Sequence, residues 1–504
     1  MSEQLRPEGI PVVVDDVILT TPGLTGTATV HPPASDGMRA AEDSTEQFRQ
    51  ALADADLTEQ LTIEIASPEE LDDAGGTRAS GGDGDITVEV PAPGTGMGQL
   101  LLYAAEDGSL TWHLPDDIDP DQVPSRGGER RTYRVPRAVV TGAPTDSQTS
   151  GQRGILGALG SKLLKVLVFP LIDPVLGKVG DHFASRWEEK NRRNLVRWFS
   201  PVGFRALEAS AFASTDWDRV RGGTALLFVH GTFSQAHWAF PGLPDDTMAE
   251  LHRRYEGRVF ALDHHTVSKT PDENIAWFAE QLMGGLTDGD AGVGPGPVTV
   301  DVVCHSRGGL VGRALAARGA ELGLGDHLKV RTLVMVGAPN AGTALAHKEH
   351  LSKLLDRITD LVQFAPGGPV TDVVGVVLAV LKQVAVGAFG GLEGIMSMNP
   401  DGPYLPALNT APLADVRLCA IASNYEPAKG SPLIRLAKDK GLDIVFGNER
   451  NDLVVPTASV FEVVGAPGFP IEGGDRLVLE GEVTHGGYFR EPAVNAKLLE
   501  WLPG

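Results

Sequence analysis

Ser306 closes a mostly apolar run, Val298 to Val303, inside Cys304-His305-Ser306-Arg307-Gly308-Gly309, and a helical pattern begins at Leu310. A serine at a sharp strand-to-helix turn, with small residues two positions away on each side, has the makings of a nucleophile elbow, because that turn leaves no room for bulk at its flanks. A hydroxyl attacks poorly until a base takes its proton, so the chemistry also needs a histidine and an acid to orient it. Asn451-Asp452-Leu453-Val454-Val455-Pro456 sets a carboxylate at a turn. Glu482-Val483-Thr484-His485-Gly486-Gly487-Tyr488 sets an imidazole in a glycine-flanked loop after the strand Arg476 to Leu479. Ser306, Asp452 and His485 are the expected triad, in the chain order serine, acid, histidine.

The other candidates have plainer readings. Ser125, in a second Ser-Arg-Gly-Gly, has no apolar strand before it. Asp263, at the end of the strand Arg258 to Leu262, is the rival acid, and a turn carboxylate capping its own backbone is the plain alternative for Asp452. His264, His265, His347 and His350 compete with His485 as surface or lid residues, and His305 should point away from its neighbour Ser306. Asp263-His264-His265 does not suggest a metal, since two adjacent histidines cannot both face one ion comfortably. No metal and no cofactor are expected.

A tetrahedral intermediate also needs preorganised N–H donors for its oxyanion. The main-chain N–H of Arg307, at the start of the helix, is one candidate, where the helix dipole also favours negative charge. The N–H of Thr232, in the loop Val229-His230-Gly231-Thr232-Phe233-Ser234, is the other, with His230 a structural residue that orients the loop.

His-Gly-Thr after a strand, His-Ser-Arg-Gly-Gly at an elbow, Gly337-Ala338-Pro339-Asn340-Ala341-Gly342-Thr343 after the next strand, and a late Asp and His together resemble the lipase and esterase branch of the α/β-hydrolases. The resemblance covers Phe204 to Gly504. It implies oxyanion donation by Thr232, a lid in the insertion of about 344–409, and hydrolysis of carboxylic esters through an acyl-enzyme. It equally admits thioesterases and acyltransferases, and a non-catalytic hydrolase-fold scaffold that binds a protein partner is the contrasting reading. Two departures stand out. Cys304 replaces the usual glycine at the elbow, and roughly 30 residues separate the strand Val416 to Ala422 from Asp452, more than a simple connection needs.

The elements that must position these residues are legible as short apolar strands alternating with helical segments: Thr224 to Val229, Arg258 to Leu262, Val298 to Val303, Val330 to Val336 and Val416 to Ala422. That alternation predicts an α/β fold, a mostly parallel sheet with helices on both faces, over residues 204–504. Between its fourth and fifth strands, Leu361 to Leu392 carries only Asp372 and Lys382 as charges, and Val373 to Leu381 is apolar all round, which suits a lid or acyl pocket as well as an ordinary core helix. Residues 1–140 read as a small acidic β-rich domain, with alternation at Leu61 to Ile65 and Ile86 to Val90 and a hairpin joining Leu100–Tyr103 to Leu110–His113. Gly75 to Asp85 reads as a mobile loop, and residues 141–203 as a linker followed by a helical docking segment from Ile155 to Trp198.

Composition bounds the partners. Of the net charge of −23, residues 1–150 contribute −18, from 27 acidic against 9 basic side chains, a field that repels nucleic acid and anionic lipid. Two cysteines, Cys304 and Cys419, support no disulfide framework, and Met1 to Val14 lacks the features of a secretory signal, so a cytoplasmic protein is expected. The expected substrate is a small ester with a hydrophobic part. The lid region leaves room for peripheral lipid contact, and the acidic domain for a protein partner.

Overall fold

In a computed structural model of the chain, the described residues are 2–32, 58–70, 85–94, 97–104, 110–113, 115, 130–135, 161–170, 179–206, 211–287, 297–347, 392–413, 415–426 and 449–504. The 141–151 linker, nearly all of the Gly75 to Asp85 loop and most of the 344–409 insertion lie outside them. The chain divides into two compact units, one holding Met1–Arg186 and the other Trp187–Pro369 and Gly391–Gly504.

The first unit contains two antiparallel sheets. One has the order β1 (Ser2–Gln4), β4 (Leu24–His31), β5 (Thr58–Glu70), β10 (Ser161–Pro170), β7 (Met97–Ala104), β8 (Leu110–His113); the other runs β2 (Val12–Val14), β3 (Val17–Thr20), β6 (Ile86–Pro91), β9 (Arg130–Val135). Residues of alternating strand positions, among them Ile63 and Ile65, Ile86 and Val88, make its buried core. The helical reading of Ile155 to Trp198 fails at β10. Leu164 and Val166, two apart, both face the core, and that spacing fits a strand, whereas the lysines at 162 and 165 mimic a helical period.

The second unit is an α/β fold. Its seven-stranded sheet has the order β11 (Leu195–Trp198), β13 (Val259–Asp263), β12 (Ala225–Val229), β14 (Val298–His305), β15 (Leu328–Val336), β16 (Arg417–Tyr425), β17 (Arg476–Gly481), all parallel except β11, which pairs antiparallel with β13. β11 falls in the stretch read as helical. Four residues are too few to display a period, and the helix before it, Val179–Asn191, dominates the local pattern. β12 and β13 are buried at every position, as strands covered on both faces must be.

One face packs Leu226 and Phe228 of β12, Val259 and Ala261 of β13, Val334 and Val336 of β15 beneath the helices Asp245–Arg254 and Pro492–Trp501, whose Met248, Leu251, Leu498 and Trp501 complete the core. The helix Gly308–Arg318 packs on β14 and β15, and Pro271–Thr287 packs on that helix. β13 and β14 lie on opposite sides of β12, so the chain reverses direction across the sheet here, and the carboxyl ends of strands at such a switch are the usual place for a ligand in these sheets. Among the described residues, no helix is long and apolar enough to cross a membrane.

A charge is anchored inside this sheet. Asp301 of β14 is fully buried and receives the Tyr255 hydroxyl at 2.5 Å and the Arg331 guanidinium, with Nε at 2.9 Å. Replacing Asp301 with Ala leaves both donors without their carboxylate and should lower unfolding free energy by about 3 kcal/mol, read as a shift in urea midpoint.

Candidate active site

Ser306 follows β14 directly and has φ +55, a left-handed conformation that a non-glycine residue adopts only where its surroundings enforce it. The space it needs comes from glycines. A Cβ on Gly308 would lie 2.5 Å from the carbonyl oxygens of both Val229 and His230, and one on Gly231 would lie 2.6 Å from the Ser306 Cβ. Cys304 is accommodated in the same way: a Cβ on Gly312, one helical turn on, would lie 2.6 Å from its Sγ, so the missing side chain of Gly312 makes room for the thiol. Both cysteines are buried and free.

Three side chains converge here from distant parts of the chain. His485 Nε2 lies 2.8 Å from Ser306 Oγ, and His485 Nδ1 lies 2.7 Å from Asp452 Oδ2. Asp452 is buried and sits at a turn whose next residue, Leu453, has φ +80. Its Oδ1 accepts the N–H groups of Val454 at 3.0 Å and Val455 at 2.8 Å, while Oδ2 accepts His485 and the Tyr488 hydroxyl at 2.7 Å. Asp452 therefore makes both kinds of contact: one oxygen caps its own turn and the other faces the imidazole. Burial pushes the Asp452 carboxyl up, but the His485 ring, the Tyr488 hydroxyl and the Val455 N–H outweigh it and hold the group below the ordinary value. Burial and the Asp452 charge drive Tyr488 well above the usual phenol range, so it stays a donor.

The excursion after β16 returns to its origin. Tyr425 at the end of β16 donates to the Asn451 carbonyl at 2.8 Å, and Thr457 Oγ1 donates to the Ser423 carbonyl at 2.8 Å, which brings the Asp452 turn back to the strand end. His305 points away from Ser306. Its ring Nε2 meets the backbone carbonyl of His485 at 2.8 Å, and burial lowers it to about 3, so it is neutral and donates, bracing the His485 loop.

The remaining candidates do not join this group. Asp263 accepts the Ala236 N–H at 2.6 Å and lies 3.8 Å from Arg197; burial raises it to about 6. His264 stacks on His230 at 4.2 Å, and the His265 N–H goes to Asn194 at 2.9 Å. His347 lies 3.5 Å from Asp401, and His350 is outside the described residues. Among the described residues, no group of three or more His, Cys, Asp or Glu could hold a metal ion.

His230 accepts the His264 N–H on Nε2 at 3.1 Å, so its Nδ1 donates to the Gly231 carbonyl at 3.0 Å, which orients the loop after β12 against Ser306. Neither Thr232 nor Arg307 donates its main-chain N–H to any acceptor among the described residues. The Arg307 side chain turns away and is fully buried, its Nε on the Gly394 carbonyl at 2.5 Å and its Nη2 on that of Lys269. Sequence reasoning missed Tyr488, whose only signal is its place three residues after His485, and Arg307 as a side-chain clasp, which has no local signal.

A family model described as a domain of unknown function, DUF7379, matches residues 191–503, more than half of the chain. The chain belongs to that family. The DUF7379 region takes in the whole seven-stranded sheet and every residue of the constellation above. No curated protein matches the chain. Among solved structures, lipase BlEst2 of Bacillus licheniformis in its mature form is 18% identical, over 55% of this chain and 91% of that one, with a TM-score of 0.33. Lipase 1 of Pelosinus fermentans is 14% identical, over 56% and 97%, with a TM-score of 0.35. Phospholipase PlaB of Legionella pneumophila is 15% identical, over 47% and 45%, with a TM-score of 0.31. Likeness at this level says nothing of what the DUF7379 chain acts on.

The depressed Asp452 carboxyl contributes stability that is fully present above the ordinary value of 3.8 and is lost as pH falls through its folded value. In Asp452→Asn the deficit relative to the native chain should therefore be largest above pH 3.8 and shrink in more acidic solution, as measured by urea unfolding across the range.

Proposed function

We propose that the chain is a serine hydrolase that cleaves carboxylic esters through an acyl-enzyme. The observation that carries this reading is the continuous hydrogen-bonded series from Asp452 through His485 to Ser306, ending on an elbow whose serine has φ +55. Nδ1 of His485 donates to a carboxylate held ionised, so the lone pair on Nε2 faces the serine hydroxyl. Ser306 Oγ attacks the ester carbonyl as Nε2 takes its proton. The N–H groups of Thr232 and Arg307 receive the oxyanion, and the Arg307 one sits at the start of a helix, where partial positive charge accumulates. His485 returns the proton to the departing alkoxide. Water then repeats the sequence on the acyl-enzyme and frees Ser306.

Each part has an expected cost. Ser306→Ala should abolish turnover of short-chain aryl esters and labelling by a fluorophosphonate probe, and undiminished turnover in that variant would end the proposal. Asp452→Asn should lower kcat by on the order of 10⁴, because the imidazole loses its partner for the correct tautomer. Tyr488→Phe removes one of the four donors on the same carboxylate and should cost about tenfold in kcat, in line with a hydrogen bond to a charged group. Steady-state kinetics on one aryl ester measures all three.

A further inference from the structure

Phe233, beside Thr232, has φ +56, a conformation that a residue with a side chain adopts only where neighbours impose it. What imposes it lies outside the triad. The Phe233 N–H donates to Thr266 Oγ1 at 3.0 Å, across to the loop that follows β13. That hydroxyl in turn donates to Glu188 Oε1 at 3.3 Å.

Glu188, on the helix Val179–Asn191, is only 1% exposed, and its carboxylate gathers four further donors from the same loop. Oε1 accepts the N–H of Thr266 at 2.6 Å and of Val267 at 2.9 Å; Oε2 accepts the N–H of Ser268 at 3.0 Å and its hydroxyl at 2.7 Å. A buried carboxylate so fully occupied makes residues 266–268 a rigid shelf. Because the Thr266 hydroxyl hydrogen is directed to Glu188, the oxygen is left to accept from Phe233. Thr232 is thus held on both sides, by Gly231 against Ser306 and by the Phe233 N–H on Thr266, while its own N–H has no acceptor among the described residues.

We propose that Glu188 and Thr266 are positioning residues for the oxyanion loop, setting the Thr232 N–H through the hydrogen bond from Phe233 to the Thr266 hydroxyl. This rests on the reading of Thr232 as an oxyanion donor in an ester hydrolase. Neither residue touches Ser306, His485 or Asp452, so their effect should fall on the transition state rather than on ground-state binding.

The test compares Thr266→Val, which keeps the shape and loses the hydroxyl, with Thr266→Ser, which keeps the hydroxyl, in the full chain on one aryl ester. Removing an oxyanion donor outright costs about 10²–10³ in kcat, so misplacing one should cost about 10- to 100-fold in Thr266→Val, with KM within threefold of the native chain. Inhibition by an aryl boronic acid, which forms a tetrahedral adduct on the serine, should weaken in parallel. Thr266→Ser should stay within about threefold of native kcat, because its hydroxyl still accepts from Phe233. A Thr266→Val kcat within threefold of native, an effect on KM instead of kcat, or equal losses in the two variants would each overturn the assignment. Thermal unfolding shows whether Thr266→Val folds; if it does not, Glu188→Gln is held to the same kcat and boronate criteria. Activity that survives Ser306→Ala would instead mean that the hydrolase reading itself has failed.

Discussion

The left-handed backbone of Ser306 is the constraint on which the rest of the site depends. A strand that passes into a helix through two residues, the first of them at φ +55, forces the chain into close approach with its neighbours, and glycines at 231 and 308 give the necessary clearance. With those contacts in place the serine side chain stands at the carboxyl end of β14 rather than folding back into the sheet. The same crowding brings the loop after β12 against Ser306, so that the serine and the Thr232 loop are positioned by one set of contacts.

Around that point the polar groups serve in pairs. Asp452 divides its two oxygens between the backbone of its own turn and the His485–Tyr488 side, so the turn cannot relax without disturbing the imidazole. His305, though adjacent to Ser306, braces the His485 backbone, and Arg307, on the other side, clasps the carbonyls of Lys269 and Gly394. The residues flanking the serine therefore tie the elbow to three loops that come from elsewhere in the chain. Such bonds fix the rotamers of the side chains they reach.

The strand register explains why these loops meet. β12, β13 and β14 are adjacent and parallel, so the segments after them all leave from the same edge of the sheet, and the antiparallel β11 closes the far side of β13. Glu188 enters this arrangement from a helix that precedes the sheet entirely, and its carboxylate stabilises the loop after β13 through main-chain donors, a role that depends on no local sequence signal.

The sequence by itself determined the parallel strands, whose apolar runs lie within three residues of those observed, the elbow with its flanking glycines, and the order of Ser306, Asp452 and His485. These are local facts: burial on both faces writes an unbroken apolar run, and a tight turn writes small residues. β10 and β11 were illegible because a few residues with misleading lysine spacing, or too few residues altogether, display no period until a partner strand supplies one. The order of residues already favoured Asp452 over its rival Asp263, but only the tertiary structure shows their surroundings; one faces His485 and the other caps the helix that starts at Ala236. Tyr488, Glu188 and Thr266 likewise become visible only in three dimensions, since what defines each is the hydrogen bond it makes across the chain, and no pattern of neighbouring residues encodes that.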